Sequence, residues 1–263
     1  MQARLTSCIR RNFSSAAPTG TLSNVYRGTF FEERSMEILQ DHLSMSLRHV
    51  GGKSDGGIDL MGWWWLPLSE SEAGTISKGP AVNRRRLRVL AQCKAEKRKA
   101  SPKYVREMEG VLHRYMSLLN SPVSPAASGS TSQYPLVALL VSESPFTKAT
   151  VLRAQSSPVP FFLLHIPPLP DPNPSASEES DPDEETSENR IGSAVWNPAL
   201  ARGLLGGKVE ARWERSPSGA GRPGLWWGGQ RLQSWTPDNV SEEQLTLENE
   251  DSFFQGLAEE QPR

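Results

Sequence analysis

Three residues in the first half of the chain have the types and spacing needed to hydrolyse a phosphodiester. Asp59 follows a glycine-rich turn, and Gln92 and Lys94 lie two residues apart in a largely apolar run. Because side chains alternate along a strand, Gln92 and Lys94 share one face. A carboxylate and an amide oxygen are ligands that Mg²⁺ accepts, and a lysine beside them can orient water and offset charge on phosphorus. If the two strands pair, the sequence predicts a hydrolytic site for Mg²⁺ or Mn²⁺.

The elements that must position these residues follow from hydrophobic periodicity and from turn residues. The pattern predicts helices over 30–43, 101–119 and 147–155, and strands over 45–50, 58–65, 87–94, 134–141 and 160–166. Such an order indicates a mixed α/β domain with helices on both faces of a central sheet.

The sequence GGKSDGGIDL at 51–60, followed by Gln-Cys-Lys at 92–94, resembles the Mrr branch of the PD-(D/E)xK nuclease superfamily. That branch is similar in having Gln where most relatives carry a carboxylate. Phe31-Glu32 and the helix after Gln-Cys-Lys are similar too, and the resemblance covers about residues 28–166. It implies an α/β, restriction endonuclease-like fold: a mixed sheet flanked by helices, here followed by a small Trp-rich C-terminal extension.

The resemblance also implies a role for each residue. Asp59 and Gln92 would bind the metal, Lys94 would be the catalytic lysine, and Glu32 would be an outer metal or water ligand. Asp55 matches an earlier acid of the turn and is a secondary candidate. Two alternatives stay open: Asp55 as a turn former, and Glu32 as a favourable acid in the first turn of a helix. The four histidines are scattered, and we expect them to be structural or at the surface.

Charge is distributed unevenly along the chain. Residues 171–189 and 237–263 carry eight acids each, whereas the rest holds 28 Lys and Arg against 14 Asp and Glu, a net charge of +14. A basic body favours a polyanionic partner, and we expect nucleic acid, DNA rather than RNA. The candidate contacts flank the Gln-x-Lys strand and are Arg84, Arg85, Arg86, Arg88, Lys97, Arg98, Lys99 and Lys103. Solvated loop charge is the alternative for these residues. Trp63, Trp64 and Trp65 could stack bases, although a core position is the favoured interpretation.

Composition divides the chain into five parts. We expect a transit peptide and disordered lead over 1–24, because the first acid is Glu32 and arginines are spread among Ser, Thr and Ala. The nuclease-like domain is predicted over 25–166, an acidic Pro-rich disordered linker over 167–191, an extension packing on the core over 192–236, and an acidic mobile tail over 237–263.

The N-terminal address, the Tyr26-Arg27-Gly28-Thr29 segment and the Trp/Gly-rich C-terminal residues resemble the fungal mitochondrial family called required for respiratory growth protein 7. This resemblance implies a location in the mitochondrial matrix and a part in maintaining the mitochondrial genome for respiratory growth.

The sequence excludes some classes of protein and leaves others as alternatives. No apolar run approaches the roughly 18 residues of a membrane helix, and two cysteines form neither a disulfide framework nor a zinc cluster. The function expected is a Mg²⁺-dependent DNA endonuclease, for which the superfamily resemblance also implies a homodimer as an option. The alternatives are a non-catalytic nucleic-acid-binding or maintenance factor, and an assembly factor that uses the Trp-rich segment.

Overall fold

The computed structural model describes residues 24–50, 57–68, 84–119, 134–169, 191–215, 221–232 and 234–235. Its helices are α1 (Asn24–Leu43), α2 (Pro102–Leu119) and α3 (Lys148–Gln155), with one turn of π-helix at Ala199–Leu204. Its strands are β1 (Met45–His49), β2 (Leu60–Pro67), β3 (Arg84–Lys94), β4 (Leu136–Ser142), β5 (Phe161–His165), β6 (Ser193–Trp196), β7 (Val209–Arg215), β8 (Gly221–Trp227) and β9 (Gln230–Arg231). The predicted transit peptide, Asp55, most of the linker and the acidic tail lie outside these ranges.

A six-stranded mixed sheet forms the centre of the molecule, in the order β1-β2-β3-β4-β5-β6. The first three strands pair antiparallel, β3, β4 and β5 are parallel, and β6 returns antiparallel to β5. The prediction of a mixed α/β fold is therefore confirmed. The restriction endonuclease-like assignment stays a prediction.

Helices cover both faces of this sheet because its strands alternate two apolar sets. Leu60 and Val89 pack with α1 through residues such as Leu39, whereas Met61 and Leu90 pack with α2 and α3. Each fully buried apolar side chain of this kind contributes about 1.5–3 kcal/mol to folding. No helix in the described ranges is long and apolar enough to cross a membrane.

The segment predicted as an extension packing on the core contributes one strand to the main sheet. This strand, β6, pairs with β5 in the register Phe162↔Trp196, so residues 193–196 form an edge of that sheet. The four residues of β6 are all half-buried, so no buried residue alternates with an exposed one along the strand. A strand of this kind has no alternating apolar pattern by which the sequence could predict it. The second sheet, β7-β8-β9, packs on the α1 side through Val209, Leu225 and Leu232.

Candidate functional site

Asp59 is held by backbone contacts at the point where β2 begins. Its N–H donates to the Ala91 carbonyl oxygen at 2.9 Å, and its carbonyl accepts from the Val50 N–H at 3.1 Å. Its Oδ2 accepts a hydrogen bond of 2.6 Å from the Cys93 N–H. The Asp59 carboxylate is therefore fixed against the β3 backbone between Gln92 and Lys94.

Gln92 is 4% exposed, and its side-chain amide forms a hydrogen bond through the nitrogen but not through the oxygen. Its Nε2 donates to the Gly57 carbonyl oxygen at 2.8 Å. The buried Oε1 accepts no hydrogen bond from any part of the chain that the structure describes. A buried polar atom left in this state costs about 1–3 kcal/mol, so Oε1 is a site for a donor or a cation.

Gly57 makes the Gln92 arrangement feasible. Its φ is +87°, and a Cβ there would lie 2.8 Å from the Gln92 Nε2. Glycine alone combines this left-handed backbone with so close an approach. Gly57 therefore holds the Gln92 amide at the end of the sheet where Asp59 lies.

Lys94 lies two residues beyond Gln92 and is half-buried. Its Nζ is 5.3 Å from the centroid of the Tyr104 ring, a cation–π contact at the start of α2. The Tyr104 hydroxyl donates to Glu96 Oε1 at 2.5 Å, and this bond is the main reason that the pKa of Tyr104 rises to about 12. Tyr104 and Glu96 therefore form a support for the Lys94 ammonium.

Glu32 is near this cluster but on the other face of β3. Its Oε2 is 3.3 Å from His49 Nδ1. Cys93 faces α1, and burial raises the pKa of its thiol well above its ordinary value. The nearby carboxylates of Asp59 and Glu32 raise that pKa further, while the Ser35 hydrogen bond and Lys94 lower it. The Cys93 thiol is thus close enough to Asp59, Glu32 and Lys94 for the charge of each to affect its pKa.

His49 is a site residue that the sequence reasoning missed. It ends β1, its Cα is paired with that of Leu60, and its ring contacts Glu32. The signal available in the sequence is position alone: His49 precedes the glycine-rich turn that leads to Asp59. A lone histidine at a strand end carries no pattern that predicts a carboxylate partner on a distant helix.

The two basic groups prove to be separate. Arg84 lies eight residues before Gln92 on β3, which places it roughly 26 Å away. Arg88 is 4% exposed, so it is not available to a phosphate. Because β3 begins at Arg84, the arginines extend along the strand away from Gln92. A contact of Arg84, Arg85 and Arg86 with nucleic acid stays a prediction.

The second basic group does adjoin the site. Lys97, Arg98 and Lys99 are exposed on the turn that follows β3, and Lys103 forms an ion pair with Glu107 at 3.4 Å on α2.

Hydrogen bonds anchor this turn at both ends. Ser144 Oγ donates to the Glu96 carbonyl at 2.5 Å, and Thr150 Oγ donates to the Ala100 carbonyl at 2.6 Å. The three basic side chains are therefore presented from a fixed backbone beside Lys94.

The structure also bears on the metal and on the tryptophans. Within the described ranges, no three His, Cys, Asp or Glu side chains are grouped so as to hold a metal ion. The predicted set of Asp59, Gln92 and Glu32 contains only two carboxylates, and it stays a prediction.

Trp63 and Trp64 are buried in the core, which is the interpretation favoured from the sequence.

Comparison with known proteins places the chain among mitochondrial proteins. The family model described as "Required for respiratory growth protein 7" matches residues 23–195. The chain belongs to this family. The resemblance to this fungal mitochondrial family is thereby confirmed, whereas the resemblance to the Mrr branch of nucleases stays a prediction. The match runs from the start of α1 into β6.

Individual relatives agree with the family match. An uncharacterized mitochondrial protein of Schizosaccharomyces pombe is 33% identical over 101 residues, 38% of this chain and 35% of that protein. "Required for respiratory growth protein 7, mitochondrial" is 31% identical in Vanderwaltozyma polyspora, over 38% of this chain and 50% of that protein. The Saccharomyces cerevisiae protein of the same name is 28% identical, over 55% of this chain and 66% of its own length.

The chain thus spans between about a third and two thirds of the relatives' lengths. Their names confirm the predicted mitochondrial location, while the matrix stays a prediction. No solved structure matches the chain.

Proposed function

We propose that this family member is a metal-dependent nuclease of the mitochondrial matrix, with a restriction endonuclease-like fold, that acts on DNA. One observation carries the proposal: the buried Gln92 Oε1 accepts no hydrogen bond in the described part of the chain, at the end of the sheet where Asp59 is fixed. A site that buries an oxygen acceptor next to a carboxylate suits a hard cation.

The donor set fits Mg²⁺ or Mn²⁺. Asp59 and Gln92 would hold the ion, and Glu32 would act from the α1 side as an outer ligand. When bound, the ion supplies neutralisation of phosphate charge and a lower pKa for a bound water. The Cys93 N–H keeps the Asp59 carboxylate in place, and Gly57 keeps the Gln92 amide in place.

The remaining residues serve the substrate. The Lys94 ammonium, supported by the Tyr104 ring, offsets the charge that develops on phosphorus as water attacks and the P–O bond to the leaving sugar oxygen breaks. Lys97, Arg98 and Lys99 contact the phosphate backbone on either side of the cleaved bond. A homodimer stays a prediction.

A cleavage assay with the full chain tests the proposal. Supercoiled plasmid, linear duplex, single strands and a four-way junction are incubated with Mg²⁺, Mn²⁺ or EDTA. We expect cleavage that requires metal and is lost in both Asp59→Ala and Lys94→Ala, with Lys148→Ala, exposed on α3, as the matched control. Cleavage that survives in both variants would contradict the assignment of these residues.

A second candidate is a nucleic-acid-binding factor without catalysis, which would maintain the mitochondrial genome by binding alone. It is favoured by the contacts that already occupy the acids: Asp59 with the Cys93 N–H, and Glu32 with His49. This candidate predicts metal-independent binding whose affinity falls steeply as the salt concentration rises. In Lys94→Ala the affinity falls only by the contribution of one positive charge. If the chain binds nucleic acid in EDTA and cleaves no substrate, this second function replaces the first.

A further inference from the structure

A strip of arginines and aromatic rings lies at the end of the sheet opposite to the candidate active site. Arg84 and Arg86 are two residues apart on β3, and Trp65 on β2 is directly opposite Arg86. Directly paired residues of antiparallel strands point to the same face, so these side chains are neighbours. Tyr134 and Trp235 complete the set. We call Arg84, Arg86, Trp65, Tyr134 and Trp235 the arginine–aromatic strip.

Each arginine of the strip lies over a ring. The Arg84 guanidinium carbon is 5.0 Å from the Trp235 centroid, and that of Arg86 is 4.2 Å from the Tyr134 centroid. Trp65 and Trp235 meet edge to face at 5.6 Å. All five residues are half-buried, so part of each residue stays open to solvent. The strip is thus a continuous platform of planar groups.

Within the part of the chain that the structure describes, no acid balances the positive charge of the strip. Over the described ranges, Arg84 and Arg86 form no ion pair. Burial removes water from the Arg84 guanidinium and so lowers the pKa of that group. Cation–π contacts recover some of that loss, but two adjacent arginines without a carboxylate still attract an anion.

We propose that the arginine–aromatic strip is a binding site for single-stranded nucleic acid, separate from the Asp59–Gln92–Lys94 cluster. Planar rings bind unstacked bases whatever their sequence, and guanidinium groups bind the phosphates between them. A duplex hides its base faces, so the strip discriminates against it. An acidic peptide would satisfy the charges but would leave the ring faces unused. Arg86 and Arg84 are six and eight residues from Gln92 along β3, roughly 20–26 Å away, so occupation of the strip does not depend on catalysis.

Fluorescence anisotropy with labelled oligonucleotides tests this inference on the full chain. The probes are oligothymidylate, oligouridylate and a duplex of equal length, all in EDTA so that cleavage is absent. We expect the wild type to bind both single strands more tightly than the duplex. Arg84→Gln is expected to bind single strands about tenfold more weakly, since it loses a phosphate contact and its stack on Trp235.

Three variants separate recognition from charge and from folding. Arg84→Lys keeps the charge but loses the planar group, and is expected to fall between Arg84→Gln and the wild type. Trp235→Leu removes a ring without changing charge and should also weaken binding about tenfold. Arg202→Gln removes an exposed charge from the π-helix and should bind as the wild type does. Thermal unfolding of each variant verifies the fold.

The results that overturn the inference are distinct from those that overturn the nuclease proposal. If Arg84→Gln and Trp235→Leu fold and bind single strands as tightly as the wild type, the strip is not the site. Absence of single-strand binding by the wild type, or a preference for duplex, also refutes it. A chain that binds single strands through the strip but cleaves nothing retains this inference and loses only the nuclease.

Discussion

At the scale of single residues, Gly57 and Gln92 determine each other's geometry. The Gly57 carbonyl accepts the Gln92 Nε2 hydrogen bond, and the space beside that nitrogen exists because residue 57 has no Cβ. The positive φ of Gly57 lets the chain turn directly into Ile58 and Asp59. One glycine thus positions both the amide and the carboxylate of the candidate site.

Gly57→Ala is expected to destabilise the protein by roughly 1–3 kcal/mol, because alanine must adopt φ +87° and its Cβ would meet the Gln92 amide. Urea unfolding measures this. Gly110→Ala is the matched control: Gly110 lies in α2 with nothing within 4 Å of a new Cβ, and alanine there gains up to about 1 kcal/mol. Equal effects at the two positions would contradict the packing described around Gln92.

Cys93 predicts a pH dependence of stability. Its folded pKa is raised, so the native thiol stays protonated after the unfolded thiol, with a pKa of about 8.5, has ionised. The contribution is complete below about pH 8.5 and falls as pH rises toward the folded pKa. In a Cys8→Ser background, the free energy of unfolding should therefore decline more between about pH 8 and pH 10 than in Cys93→Ala. Identical slopes would show that the thiol is not shielded as described.

The sequence predicts residues of the candidate site only where the alternating pattern of a strand, or the turn before it, relates one residue to another. The two-residue spacing of Gln92 and Lys94 predicts a shared face, and the glycine-rich turn predicts that Asp59 starts the neighbouring strand. The Tyr104 support of Lys94 and the His49 contact of Glu32 depend on which helix covers which face. Such long-range contacts leave no local signature.

At the scale of elements, Asn197 joins three of them. It is buried, and its Nδ2 lies within 2.7–3.1 Å of three backbone carbonyls around the end of α3, those of Ala154, Ser157 and Val159. Its Oδ1 accepts from the N–H groups of Phe161 and Leu200, both at 3.0 Å. The side chain thus fixes α3, β5 and the π-helix to one another.

Asn197→Ala should lower the free energy of unfolding by about 3 kcal/mol or more, because several buried backbone groups lose their partner. Chemical denaturation measures the change. Arg202→Ala, exposed on the adjoining π-helix, is the control and should stay within about 0.5 kcal/mol of the wild type. A loss at Asn197 no larger than at Arg202 would refute its joining role.

The sequence predicts the type of each helix and strand correctly where the hydrophobic periodicity is strong. The predicted ends of these elements are wrong where charged residues interrupt that periodicity. The helix before β1 and the strands of the sheet core were predicted from their apolar residues. The first three residues of β3 are arginines, which resemble loop charge, yet the guanidinium groups of Arg84 and Arg86 lie over aromatic rings. Asn197 followed by Pro198 is likewise typical of a turn, although it is a buried hub.

At the scale of the whole molecule, the two ends of β3 carry different chemistry. The C-terminal end gathers Asp59, Gln92 and Lys94 with the basic turn at 97–99, whereas the N-terminal end carries the arginine–aromatic strip. Both features lie on a basic body with two acidic segments elsewhere in the sequence. The chain belongs to the family described as required for respiratory growth protein 7.

The central claim, that Gln92 and Asp59 form a metal site, is tested most directly by Mn²⁺ binding followed through the EPR signal of free Mn²⁺. The full chain, Gln92→Leu and the control Gln40→Leu, exposed on α1, carry the same acidic segments, so weak binding there cancels in the comparison. We predict that the wild type and Gln40→Leu bind one more Mn²⁺ than Gln92→Leu. Equal binding by all three proteins would contradict the claim.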